Sequence, residues 1–157
     1  GHNVELAWLL RRALETAAAD VTPYAPVMRR LLDHAVEHGV DREFGGVFRD
    51  GTAGGGPLVL EKEFWQTAEV LVGFLDGFEH FGDARYLAAF ENVWDFARRH
   101  MIVPGLGEWR TLLDRQGRPL DAKIGNPWKV AYHTGRSMLE CSERLARLAA
   151  VGGGSRS

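Results

Sequence analysis

The 157-residue sequence predicts an all-α fold of the α/α-barrel kind, and three observations carry that expectation. Apolar residues recur at helical spacing over long stretches. Glycines and prolines divide those stretches into five helix-length pieces. Unusual polar and aromatic side chains concentrate on the first, third and fifth pieces, as they do where inner and outer helices alternate and functional groups project from one end of the inner ring. Periodicity alone describes a helical bundle or a solenoid equally well, so the motifs have to support the plan.

The first helix is expected over about 3–19, with Val4, Leu6, Ala7, Leu10, Ala13, Leu14 and Ala17 in helical register. Pro23 and Pro26 bracket the next start, and Val27, Met28, Leu31, Leu32, Ala35 and Val36 carry a second helix to a stop at Gly39. A third is expected over about 62–81 and a fourth over 84–101, with Gly82 as the stop and Asp83 as the N-cap between them. The fifth covers about 130–150. Two connections read as hairpins: "GGVFRDGTAGGGPLVL" around an Asp50-Gly51 turn, and "EWRTLLDRQGRPLDAK" around a turn near Gln116-Gly117. Each precedes an odd-numbered helix. Residues 151–157, "VGGGSRS", lack apolar content and read as a flexible tail or expression remnant, which leaves 1–150 as the folded domain.

Composition sets the class. At 45% hydrophobic and 25% charged residues the chain suits one globular domain. Its 19 basic and 21 acidic residues give a net charge of -2 without a basic run, which favours neither nucleic acid nor an anionic membrane. The lone cysteine, Cys141, has no internal disulfide partner, and no long apolar span or signal-like start is present, so a reducing cytoplasm is the expected compartment. Gly1 in place of methionine suggests a processed or fragmentary piece.

Four motifs then stand in order along almost the whole chain: "GHNVE" (1–5), "KEFWQTAEVLVGFL" (62–75), "GEW" (107–109) and "WKVAYHTGR" (128–136). In this order and approximate spacing they resemble the C-terminal part of the N-acylglucosamine 2-epimerase and cellobiose 2-epimerase family. The resemblance implies an (α/α)6 toroid-type barrel, of which this chain supplies about five helices. It also implies inversion at C2 of an open-chain mono- or disaccharide, with no metal and no organic redox cofactor. The histidines of the two matching motifs, His2 and His133, take the acid/base roles by resemblance. The family's third-helix motif usually reads Trp-Trp and Gln-Ala-Glu, whereas this chain has Phe64-Trp65 and Thr67-Ala68-Glu69, a departure that bears on the second sugar ring.

The chemistry accounts for the same residue types independently. A hydrogen alpha to an aldehyde is a weak acid, so its removal needs a placed base and its enediolate needs donors or cations. Epimerisation returns the proton to the opposite face, which two acid/base groups on either side of the substrate accomplish most simply. Imidazole both accepts and donates near neutral pH. Glu5, at i+3 from His2, is placed to orient that imidazole, and Arg136 stands in the same relation to His133. Trp65 and Trp128 offer flat faces to a pyranose, and Glu69, one turn beyond Trp65, is expected to accept sugar hydroxyls.

Plainer readings stand beside these. Glu5, Glu69 and Arg136 could serve as buried ion pairs, and Trp65 and Trp128 as core; Trp8 and Trp94 carry no motif and are assigned to the core. "HAVEH" (34–38) matches an inverted zinc-protease pattern, but His38, His80 and His100 all fall in last helical turns, where a histidine meets the negative end of the dipole. "GTAGGGP" lacks the lysine of a phosphate loop. The nearest alternative activity is an aldose-ketose isomerase of the mannose type, which returns the proton to C1. A glycoside hydrolase would lead with carboxylates rather than two histidines. A non-catalytic helical binding protein is the third alternative. Three inner helices are half an inner ring, so the expected partner is a second copy of the chain or the missing N-terminal half of the barrel.

Overall fold

The computed structural model describes residues 1–153. Among the described residues five α-helices form: α1 (His2–Thr16), α2 (Ala25–His34), α3 (Phe64–Phe81), α4 (Ala84–Phe96) and α5 (Ala131–Gly153). Short strands β1 (Asp50–Gly51), β2 (Pro57–Val59) and β3 (Lys62–Glu63) precede α3, and β4 (Leu112–Leu113) precedes α5. The fold is all-α, with α1, α3 and α5 as the inner helices of an α/α toroid sector and α2 and α4 as outer cover. Residues 154–157 of the expected tail lie outside the described residues.

Helix α3 is the hub. Thirteen of its 18 residues are buried, so its wall is covered nearly all round, unlike the single stripe of a surface helix. Trp8 of α1 and His133 of α5 both meet Glu69, while Arg11 and Arg144 both meet Asp76 seven residues further on. Contacts therefore advance in the same direction along all three helices: α1, α3 and α5 run parallel, with their N-termini at one end. Gly73 lets α1 come close, because a Cβ there would lie 2.1 Å from Val4 Cγ1. Full burial of side chains such as Leu71, Phe74 and Leu75 contributes roughly 1.5–3 kcal/mol each.

The helix punctuation matches expectation between α3 and α4, where Gly82 adopts φ 66° and Asp83 accepts from the Arg85 N–H at 3.0 Å. Both outer helices end in a π turn, Ala35–Gly39 after α2 and Ala97–Met101 after α4. Three details differ from the sequence reading. The first hairpin turns at Thr52–Gly56, with Asp50-Gly51 in its strand, because Gly55 takes the φ of +100° that the reversal needs. Lys62 and Glu63 form a strand paired with β4 before helix geometry begins at Phe64. That pairing seats the fully buried Lys62 ammonium on Asp41 at 2.9 Å, and Arg115 closes on the same carboxylate. Helix α5 also runs past residue 150 to Gly153. The second hairpin closes as expected, with the Gly117 N–H donating to the Asp114 carbonyl and the Arg118 carbonyl accepting from Asp114.

Candidate active site

The parallel inner helices bring the four motifs to one end. His2 begins α1, Trp65 is the second residue of α3, and His133 is the third of α5. The imidazole of His2 packs on the Trp65 indole with centroids 4.7 Å apart, and His133 packs on the same indole at 5.6 Å. Trp65 thus touches both histidines. Gly1 is required for this seating, since a Cβ on it would stand 2.9 Å from the Trp65 ring and 2.6 Å from Gln66 Cγ. A cleft of about 400 Å³ opens here, lined by His2, Glu5, Glu63, Phe64, Trp65, Asn126, Trp128 and His133. Three helix N-termini, each a partial positive charge, point at it.

Below the cleft the polar groups are shared differently from what spacing suggested. Glu5 meets Arg136, whose Nη2 lies 3.4 Å from its Oε1, so it serves the arginine rather than the imidazole one turn away. Arg136 likewise serves carboxylates: it donates to Glu69 Oε1 as well, and its guanidinium lies over the rings of Tyr132 at 4.0 Å and Trp8 at 4.8 Å. Burial opposes the charge of Arg136, but the hydrogen bond and charge of Glu69 outweigh it and hold the guanidinium above its ordinary pKa. Glu69 is 0% exposed, and both its oxygens are committed to protein donors. Oε1 meets His133 Nδ1 at 2.6 Å besides Arg136, and Oε2 accepts from the Trp8 indole at 3.1 Å. No face of Glu69 is left for a sugar hydroxyl. Since Glu69 is the acceptor of all three contacts, the hydrogen is assigned to His133 Nδ1, and Nε2 is the ring nitrogen left for the cleft.

Glu5, Glu69 and His133 each present a ligand atom within 4.8 Å of the others, a spacing a metal ion accepts. The Arg136 guanidinium is already bonded to both carboxylates there and supplies the positive charge. Trp128 is 88% exposed at the rim, outside the core. Its loop is fastened by Lys129, which donates to Glu108 at 2.7 Å, to the Trp109 carbonyl and to the Ile124 carbonyl at 2.8 Å. The "GEW" and "WK" motifs are therefore the two halves of one clamp, and the Lys129 hydrogen bond holds the Glu108 carboxyl below its usual range. Trp8 lies in the core as assigned, but its hydrogen bond to Glu69 and the clamping role of Lys129 were not read from the sequence. His34 and His38, with their rings 4.9 Å from each other, line a neighbouring cavity of about 210 Å³ that Gly1 and His2 also line.

A family model for N-acylglucosamine 2-epimerase matches residues 1–137. The chain belongs to that family. Among its relatives, N-acylglucosamine 2-epimerase of Bos taurus is 33% identical over 153 residues, covering 94% of this chain and 36% of its own length. Cellobiose 2-epimerase of Bacteroides fragilis is 31% identical over 144 residues, covering 89% of this chain and 36% of its own. Among solved structures, a D-mannose isomerase superposes with a TM-score of 0.82 at 25% identity, over 90% of this chain and 36% of that one. Cellobiose 2-epimerase of Bacillus thermoamylovorans gives a TM-score of 0.81 at 28% identity, over 91% of this chain and 36% of its own. The chain thus spans little more than a third of the relatives it matches. Among the described residues, no helix is long and apolar enough to cross a membrane.

Proposed function

We propose that these residues are the acid/base half of a sugar 2-epimerase. The observation that carries the reading is the placement of His2 and His133 against one indole, that of Trp65, in a shared cleft, with His133 oriented by a buried carboxylate. An open-chain aldose between the two imidazoles loses its C2 proton to the unprotonated one. The electron pair moves toward C1 and the carbonyl oxygen becomes the enediolate oxygen, favoured by the three helix N-termini. The second imidazole, entering protonated, gives its proton to the opposite face of C2. One histidine has gained a proton and the other has lost one, and exchange with solvent restores the pair. Trp128 and Trp65 stack on the C–H face of the sugar.

The D-mannose isomerase likeness supports a second outcome, in which the same enediolate is protonated at C1 to give a ketose. The remaining inner helices of the ring cover the exposed flanks of α1 and α5 and bring further sugar contacts, including a cation for the carbonyl oxygen. Incubation of the whole polypeptide with candidate aldoses in heavy water, followed by NMR, tests the reading. Deuterium at C2 with formation of the epimer is expected; hydrolysis products without exchange would sink it, and a ketose with label at C1 would select the isomerase.

A further inference from the structure

We propose, building on the epimerase reading, that Trp8 is a positioning residue whose indole N–H holds Glu69 so that Glu69 can hold His133. Trp8 is almost wholly buried on α1 and by sequence is an ordinary core tryptophan. A buried indole N–H needs an acceptor, and a backbone carbonyl would satisfy it. Here the acceptor is Oε2 of the one carboxylate whose other oxygen meets the catalytic imidazole. The same ring lies under Arg136, the second donor to Oε1. Trp8 is therefore one of the three groups that fix the carboxylate and touches a second, Arg136, from the helix that carries His2.

The packing is arranged for that reach. Gly73, one turn beyond Glu69 on α3, leaves open the space in which a Cβ would lie 3.5 Å from Trp8 Cδ1 and would collide with Val4. The close approach brings Nε1 to 3.1 Å from Oε2. A carboxylate with three donors on three sides cannot rotate without breaking one of them. Without the indole donor, Oε2 would be buried and unpaired, and the Glu69 plane would turn to find another partner, away from Nδ1. The imidazole would then lose the bond that selects its Nδ1–H tautomer, as a ring nitrogen does when its orienting partner is lost.

The test uses two substitutions in the whole polypeptide to which these residues belong. Trp8→Phe removes the N–H and part of the ring; benzothienylalanine at position 8 keeps the outline, puts sulfur where the N–H was, and decides the question. Nitrogen-15 spectra of the imidazoles are expected to show a single Nδ1–H tautomer at His133 in the parent and a mixture of tautomers in the benzothienyl protein. With it, kcat should fall about tenfold or more while KM stays within about twofold. An unchanged His133 tautomer overturns the proposal whatever the rate does. A parent protein without sugar exchange would remove the epimerase reading, yet the spectra would still decide the link from Trp8 to His133.

Discussion

Glu69 Oε1 and His133 Nδ1 stand 2.6 Å apart across the interface of α3 and α5, from a carboxylate with no exposed surface. A buried carboxylate is costly to desolvate and persists only when its lone pairs are filled. Trp8, Arg136 and His133 supply three hydrogen bonds, at least one to each oxygen. Replacing Glu69 by Gln keeps the volume but removes the charge, leaving Arg136 without its main partner and His133 without its orienting acceptor. Turnover is expected to fall by about 10²-fold or more, and stability to fall by about 3 kcal/mol, as when one partner of a buried pair is removed. Initial rates and urea unfolding measured on the same preparation check both; an E69Q protein with parental turnover would break the link from Glu69 to His133.

The two tryptophans at the rim separate binding from folding. Trp128 buries little of its surface, so Trp128→Ala should shift the thermal midpoint hardly at all while weakening sugar affinity by tenfold or so, since stacking on an aromatic face is lost. Trp65 is half-buried under both imidazoles, and its replacement by Ala should affect stability and affinity together. Tryptophan fluorescence titrated with sugar reads the affinities, and calorimetry reads the folds. A Trp128→Ala protein that loses its thermal transition would return this residue to the core.

Helix periodicity, glycine stops and the Asp83 cap made the architecture legible, because each is a local property of the chain. The site was legible only as far as its motifs. His2, Trp65 and His133 meet at one end of the helices, while Glu5, Glu69 and Arg136 are joined across helices in the ion pairs of the plainer reading. Spacing of three or four residues says which side chains share a face, not what faces them. Glu69 was expected to meet sugar hydroxyls and instead meets an indole, a guanidinium and an imidazole. Trp8 was assigned to the core because nothing near it in sequence marks it; the available signal was Gly73 in the middle of an apolar helix, which implies close approach by a neighbour. Likewise Lys62 and Glu63 carry no helix-breaking signal before α3, but pairing with Leu112–Leu113 and the reach of Lys62 to Asp41 outweigh helix propensity there.

Acid stability should depend on Asp41. Burial alone would raise its carboxyl, but hydrogen bonds from Arg115, then Lys62 and the Phe44 N–H, outweigh burial and hold it well below the ordinary range. Lys62 and Arg115 face it as cations, and Glu43 shares Arg115 at 2.8 Å. A carboxyl whose folded pKa is depressed stabilises the fold fully above its unfolded value, about 4, and loses that contribution as pH falls toward the folded value. Stability should therefore decline below about pH 4 in the parent. Asp41→Asn should be less stable at pH 7 and show a flatter decline below pH 4, as read from urea midpoints across pH 2–7. An Asp41→Asn decline as steep as the parent's would assign the acid sensitivity to other carboxylates.

The flanks of the sector carry the last prediction. Leu6 on α1 is 56% exposed and Leu139 on α5 is 69% exposed, one on each side of the buried α3. Tyr132, seven residues before Leu139, is exposed on the same side of α5. Exposed apolar side chains on helices whose other faces are packed mark places where further elements can pack. The chain matches little more than a third of each relative, and the occupant proposed on that ground is further inner helices of the same ring, laid against α1 on one side and α5 on the other. Two copies of this sector would bring ten helices, not twelve, so a second copy would cover the faces without reproducing the ring. Residues 1–157 alone are expected to associate at micromolar concentration in light scattering, and Leu6→Glu with Leu139→Glu to suppress that association. In the whole polypeptide the same pair of substitutions should lower stability by about 2 kcal/mol or more, because each places a charge in a covered apolar contact. A cooperatively folded monomer of the isolated chain at micromolar concentration, unaffected by the two glutamates, would show that these faces need no cover.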